Sequence, residues 1–200
     1  MAQGYGAADR PLVIGGVSRL SSTQSSGAAY LQLDGDVTLV REGLVSTGSA
    51  GLSLKVSGAL SDQSTQGVVA NSGFVRLETG TAADRTGGLT LKTLSSTSGR
   101  VDLVVDGALQ VDQLSNGSGT FQASAAGDLT VQAWSQAGGS TTVTATGRGM
   151  VGTLSNDQGT LNLTVGGAYT GTTVSNASGT LSLTAGGAVS LPTLSNDKGS

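Results

Sequence analysis

Cysteine and histidine are both missing from this chain of 200 residues. Their absence excludes a disulfide scaffold, cysteine-ligated zinc and imidazole metal sites, and it removes the usual nucleophilic triads and Cys–His pairs. A cysteine-free chain also suits export through an oxidising periplasm, where a stray disulfide would close a loop and jam the process. Proline is down to 2 residues, which keeps backbone N–H donors available for a strand ladder. Aromatic residues make up 3% of the chain and charged residues 12%, the latter about half the common share. The 13 acidic and 10 basic residues are spread without runs. There is no basic stripe for phosphates and no aromatic platform for bases, so no nucleic-acid partner is expected. No apolar run approaches the about 18 residues of a membrane-spanning helix, so no membrane insertion is expected either. The opening MAQGYGAADRP lacks the basic-then-apolar order of a signal peptide, which leaves a cytosolic protein or a piece of a longer secreted chain.

What is abundant is glycine, 33 residues, together with serine, threonine, asparagine and alanine. Such a mixture can signal disorder, but here the apolar residues recur in phase, which a disordered segment has no reason to maintain. From Gly87 onward the chain keeps a 20-residue period, with glycine at Gly87, Gly107, Gly127, Gly147, Gly167 and Gly187. A second glycine column follows at Gly99, Gly119, Gly139, Gly159, Gly179 and Gly199, and a serine column at Ser95, Ser115, Ser135, Ser155, Ser175 and Ser195. A fixed period of this size is the mark of a solenoid, in which each unit buries its apolar face only by stacking on its neighbours.

Within a unit, Thr180-Leu181-Ser182-Leu183-Thr184-Ala185 alternates polar and apolar, the period of a strand with one buried face. Its counterparts are Thr160-Leu161-Asn162-Leu163-Thr164-Val165 and Arg100-Val101-Asp102-Leu103-Val104-Val105. The other half of the unit gives Ala108-Leu109-Gln110-Val111 and then Leu114, so each unit offers two or three short strands. Superposed, the units form core columns: Leu94, Leu114, Trp134, Leu154, Val174, Leu194, and Val101, Phe121, Thr141, Leu161, Leu181. Trp134 reads as core filler in its column. Asn116, Asn156, Asn176 and Asn196, with Gln136 as a variant, are placed to pass amide hydrogen bonds from coil to coil and to tolerate a left-handed corner. Gly99, Gly119, Gly139, Gly159 and Gly179 fit corners that demand positive φ. These choices agree on an all-β parallel β-helix, a β-solenoid of about 20-residue coils. Ten coils at ~4.8 Å would make a rod of roughly 48 Å.

Before Gly87 the rhythm loosens: Gly35 to Gly58 takes 23 residues and Gly58 to Gly87 takes 29. The surplus is expected in Thr79–Thr86, an inserted loop and a possible contact site through Thr81, Asp84 and Arg85. The chain thus divides into irregular coils over 1–86 and regular ones over 87–200, within a single β-helix segment. Ser200 falls 14 residues into a unit, which reads as an excerpt from a longer array.

Units such as Gly167-Ala168 to Ser175-Asn176-Ala177-Ser178-Gly179-Thr180-Leu181-Ser182-Leu183-Thr184-Ala185-Gly186-Gly187-Ala188 resemble the repeats of filamentous haemagglutinin-type exoproteins, the large adhesins of bacterial two-partner secretion, related to contact-dependent inhibition proteins. The resemblance is good over 87–200 and loose over 15–86. It implies a right-handed parallel β-helix, the shaft of a filament secreted by, or displayed on, a Gram-negative bacterium. It further implies export by an outer-membrane partner transporter, contact with host-cell or surface glycans and proteins, and roles in adhesion, aggregation or presenting a distal toxin. The chain departs from the full plan: no N-terminal secretion domain, Arg-Gly-Asp tripeptide or C-terminal effector is recognisable.

Sites of chemistry are sparse. A glycosidase would need two carboxyl groups roughly 5–9 Å apart, and Asp102, Asp106, Asp112 and Asp128 lie in neighbouring coils, but no sugar-stacking aromatic accompanies them. Solvated surface aspartates are the expectation, with no catalytic residues and no cofactor. Asp157 and Asp197 share a corner two coils apart, with Ala137 and Ala177 completing the column, a poor calcium set, and no metal is expected. The threonine column Thr144, Thr164 and Thr184, with Ser124, invites comparison with ice-matching lattices. The neighbouring file Gln122, Thr142, Asn162, Ser182 is not threonine, and β-propensity is the better account. The glycine motifs lack the strand-to-helix setting and Lys-Ser/Thr of a nucleotide loop. The sequence therefore points to a non-enzymatic shaft segment, with a glycan-binding or polysaccharide-active β-helix as the alternative.

Overall fold

The computed structural model describes residues 2–5, 12–14, 19–22, 29–40, 43–46, 49, 51–80 and 87–200. Among these the chain is all β, with no helix, and every strand pairing is parallel. It is a β-solenoid. One face is a ladder of nine strands, in which Thr120–Ala125, Ser140–Ala145, Thr160–Val165 and Thr180–Ala185 follow one another in unbroken register. At ~4.8 Å per coil nine strands span about 38 Å, shorter than ten equal coils because the early ones are longer. Leu31 pairs with Leu54 and Leu54 with Leu77, steps of 23 residues, and Leu77 with Leu103, a step of 26.

The rest of each regular coil but the last is one eight-residue strand, such as Leu109–Asn116, that serves two faces; in the last coil it is split into Val189–Ser190 and Thr193–Asn196. Leu109 and Val111 point inward, Asp112 and Gln113 are both exposed, and Leu114 and Asn116 point inward again. Two exposed residues in a row break the two-residue alternation, so the strand turns there and the coil acquires three sides. In the early coils these sides are separate strands, Leu60–Asp62 and Val68–Ala70; both pair with Leu89–Ser96, one with its first half and one with its second.

The interior consists of the expected columns. Leu94, Leu114, Trp134, Leu154 and Val174 are buried in line, while Leu194, on the last coil, is 65% exposed. Each fully buried leucine contributes about 1.5–3 kcal/mol. The rings of Phe121 and Trp134 meet edge to face with centroids 6.4 Å apart. Thr141 is buried in an otherwise apolar column because its hydroxyl donates to Gln136 Oε1 at 2.6 Å and accepts from Asn116 Nδ2 at 3.1 Å. Tyr169 is compensated by two glycines: a Cβ at Gly149 would meet its Cδ2 at 3.2 Å, and one at Gly171 its hydroxyl at 3.0 Å.

The inserted segment is shorter than the sequence suggests. Thr79 belongs to the strand Phe74–Thr79, pairs with Val105, and is buried with its hydroxyl donating to Gly87 O at 2.7 Å. Gly80 then turns with φ 68°. From Thr79 to Leu89 is ten residues where Val105 to Leu109 is four, so the surplus over the regular coil is six residues, 81–86. Thr81, Asp84 and Arg85 lie outside the described residues.

Candidate functional site

The most elaborate polar arrangement is the corner where glycine and asparagine columns meet. Asn116, Asn156, Asn176 and Asn196 each close a strand, so their backbone is extended and not left-handed. The amide folds inward, and each Nδ2 donates to the glycine carbonyl three residues on, as from Asn156 to Gly159 O at 3.0 Å and from Asn176 to Gly179 O at 2.9 Å. The same Nδ2 also reaches the next coil: Asn156 to Asn176 Oδ1 at 2.7 Å, Asn176 to Asn196 Oδ1 at 2.9 Å, and Asn116 to Gln136 Oε1 at 3.2 Å. The expected coil-to-coil relay is therefore present, inside the corner.

The glycines there serve a different purpose from the one expected. Of Gly99, Gly119, Gly139, Gly159 and Gly179, only Gly139 has positive φ, at 65°. The others are glycine because each corner sits directly on the one before. A Cβ at Gly99 would lie closer than 3.0 Å to Gly73 O, at Gly119 to Gly99 O and Ser96 Oγ, at Gly159 to Gln136 Nε2 and Gly138 O, and at Gly179 to Asn156 Nδ2 and Gly159 O. The amide of one coil thus fills the volume that glycine leaves free in the next. Sequence reasoning found both columns and missed that they occupy the same space.

A second polar corner had no sequence signal of its own. Asp62 and Ser64 are buried, and Asp62 Oδ1 accepts from Ser64 N at 2.8 Å while its Oδ2 accepts from Lys92 N at 3.3 Å. Ser64 Oγ in turn accepts from Gly67 N at 2.9 Å, where φ is 75°. The carboxylate is consumed in holding this turn.

The outer surface of the nine-stranded face changes character along its length. Lys55, Arg76, Glu78, Arg100 and Asp102 point outward in three successive coils, with Arg76 to Glu78 at 2.5 Å and Lys55 to Glu78 at 3.6 Å. Arg100 Nε donates to both oxygens of Asp102, at 2.8 and 3.0 Å, and its Nη2 to Gln122 Oε1 at 3.2 Å. That hydrogen bond, and then the carboxylate charge, hold the Arg100 guanidinium above its ordinary pKa. A shallow groove beside this network is lined by Arg76, Arg100, Asp102, Gln122, Ser124 and Thr142, next to half-exposed Val104. The strands from Thr120–Ala125 to Thr180–Ala185 carry no charged side chain.

The sequence-selected carboxylates do not converge on one face. Asp102 is held by Arg100 on the flat face and Asp112 stands at the bend of its strand, while Asp106 and Asp128 lie in the stacked turns that precede the strands Leu109–Asn116 and Leu129–Gln136. Among the described residues no three His, Cys, Asp or Glu side chains come together. Trp134 is 2% exposed, as core filler should be. Thr144, Thr164 and Thr184 form an exposed file in register, with Gln122, Thr142, Asn162 and Ser182 beside them. Compared with known proteins, the chain matches no family model, no curated protein and no solved structure.

Proposed function

We propose that this chain is a structural shaft segment of a large secreted bacterial surface adhesin of the filamentous-haemagglutinin type. The shaft holds adhesive or toxic modules away from the cell, and an outer-membrane partner transporter exports it. The observation that carries the reading is that coil-to-coil hydrogen bonding does not stop at the strand ends. In the corner after Asn116, Ala137 N donates to Asn116 O at 2.9 Å, Gly138 N to Gly117 O at 2.7 Å and Ser140 N to Gly119 O at 3.1 Å. A backbone paired through its turns offers a protease no slack loop, which is what an exposed spacer requires. The role is non-catalytic.

An antibody against the regular coils tests location: it should label intact producing cells or their culture medium. Signal confined to the cytosol would overturn the reading. A glycan-binding role is the second reading, favoured by the groove beside Arg100, Asp102 and Gln122. Titration of the 200-residue chain against host cells and a polysaccharide panel separates the two. A spacer shows no saturable binding; binding lost in Arg100→Ala would install the groove as a glycan site, and binding lost on deleting 81–86 would make that segment the contact.

A further inference from the structure

The coils that begin at Gly127 and Gly147 share the backbone ladder of their neighbours but fewer buried side-chain ties. Gln136 stands opposite Asn156, yet no amide bond links them. Gln136 Nε2 donates to Gly138 O within its own corner, and its Oε1 accepts from Asn116 and Thr141. Asn156 Oδ1 is left buried without a partner. At the same junction Leu129 faces Gly149, where the other regular coils place Leu, Tyr or Val; the space is taken instead by Val165 and the Tyr169 ring, so Leu129 has no side chain opposite it in its own column. Thr141 faces Leu161 and turns its hydroxyl back toward Asn116 and Gln136. The backbone ladder crosses the junction unbroken, but the buried side-chain hydrogen bonds of this coil stay within it or run to the coil before it. One added tie crosses forward, Arg148 N to Asp128 Oδ1 at 2.7 Å, but it is exposed, where water competes for both groups.

Another gap in the amide ladder lacks these further defects. Asn116 Oδ1 is also unpaired, because Ser96 donates to Gly99 O, but there Leu89, Leu94 and Val101 meet Leu109, Leu114 and Phe121. Beyond the weak junction the ladder is complete from Asn156 through Asn176 to Asn196.

In a solenoid, stability is approximately a sum of repeat terms and nearest-neighbour terms, so one poor interface divides the array into separate cooperative units. We propose that the junction between residues 127–146 and 147–166 is a built-in yield point, at which the rod parts into two blocks that unfold independently. The inference concerns the rod itself and stands whether or not it is the shaft of an adhesin.

Hydrogen exchange read by mass spectrometry on the 200-residue chain, across a urea series, tests it. The amides of Gly149–Asn156, Thr160–Val165 and Tyr169–Asn176 should lose protection together, at a lower urea concentration than those of Leu129–Gln136 and Ser140–Ala145. The double variant Gln136→Asn/Thr141→Leu gives the coil the residues of its successor, Asn156 and Leu161. It should draw the two midpoints together and slow exchange over Thr160–Val165 about five- to tenfold, the equivalent of one buried hydrogen bond. Ser96→Asn, which fills the other gap, should leave the step in place. A smooth gradient of protection from the C-terminal end, with no step at 146/147, overturns the proposal in the unaltered chain alone. So does a step that the double variant leaves equally wide.

Discussion

The coils up to Gly80 and the coils from Gly87 share one plan but secure their corners by different means. In the early coils the turns differ in length and in sequence from one coil to the next, although Gly58 N still donates to Gly35 O and Gly80 N to Gly58 O. Gly35, Gly43, Gly67 and Gly80 all have positive φ, and Asp and Ser side-chain oxygens take up turn N–H groups, some within the turn and some from the neighbouring coil. Asp36 Oδ1 accepts from Ala59 N at 2.8 Å, Ser57 Oγ from Gly35 N at 2.8 Å, and the Asp62–Ser64 pair holds the turn before Gly67. In the regular coils only Gly139 has positive φ, and glycine is demanded by the proximity of the preceding corner. A turn that differs from its neighbours must satisfy its own backbone groups, which favours left-handed glycine and Asp or Ser caps. A turn that is copied at constant spacing can pass the same side-chain bond to its own copy, so strict repetition turns single inter-coil bonds into a continuous amide ladder.

The sharpest way to break this contrast is Gly179→Val. Its branched side chain would enter the space of the Asn156 amide and the Gly159 carbonyl, a loss of about 3 kcal/mol or more from overpacking plus a broken amide bond. A urea melt that matches the parent would sink the close-approach account. Next in size is the trade between Gly149 and Tyr169. Tyr169→Leu alone should cost about 2–4 kcal/mol by leaving a cavity, and Gly149→Leu alone about 1–3 kcal/mol by clash. The two together should recover the part of the loss that falls on Tyr169, the clash with Val165 Cγ1, 2.6 Å from a Cβ at Gly149, remaining; fully additive losses would show that Gly149 and Tyr169 do not share one volume. Smaller still are the ladder changes. Asn176→Ala removes the donor to Gly179 O and Asn196 Oδ1 and should cost about 1–3 kcal/mol. Ser96→Asn should stabilise by about 0.5–1.5 kcal/mol by reaching Asn116 Oδ1. Thermal melts of the two variants should move in opposite directions.

The smallest effect is pH-dependent. Burial pushes the Tyr169 phenol above its ordinary value of 10.0, and its hydroxyl has no partner. A phenol that ionises more readily unfolded than folded leaves stability unaffected below pH 10 and erodes it as pH rises from there toward the folded value. Tyr169→Phe should flatten that alkaline decline while leaving stability at pH 7 equal or slightly higher. An identical alkaline slope in both proteins would show that other groups govern it.

Much of the architecture was legible because the period is exact. Leu161, Leu163 and Val165 are buried where alternation placed them, and Trp134 sits in the leucine column. Less legible was anything set by a residue in a neighbouring coil. Thr141 looks like a fault in an apolar column until Gln136 and Asn116 are seen to bond it. Thr79 looked like the start of a loop, because nothing local distinguishes a strand-ending threonine from a loop threonine; its partner Val105 is 26 residues away. Arg100, Asp102 and Gln122 carry no motif, and only the register across coils sets them side by side.

By itself the sequence determined that this chain is a parallel solenoid with a three-residue-type corner of Ser, Asn and Gly, because a hydrophobic alternation repeated at one fixed period has a single way to bury itself. Only the tertiary structure decided what each corner residue does. A glycine that avoids its neighbour and a glycine that turns the backbone are the same letter, and the two are told apart by what lies one coil below.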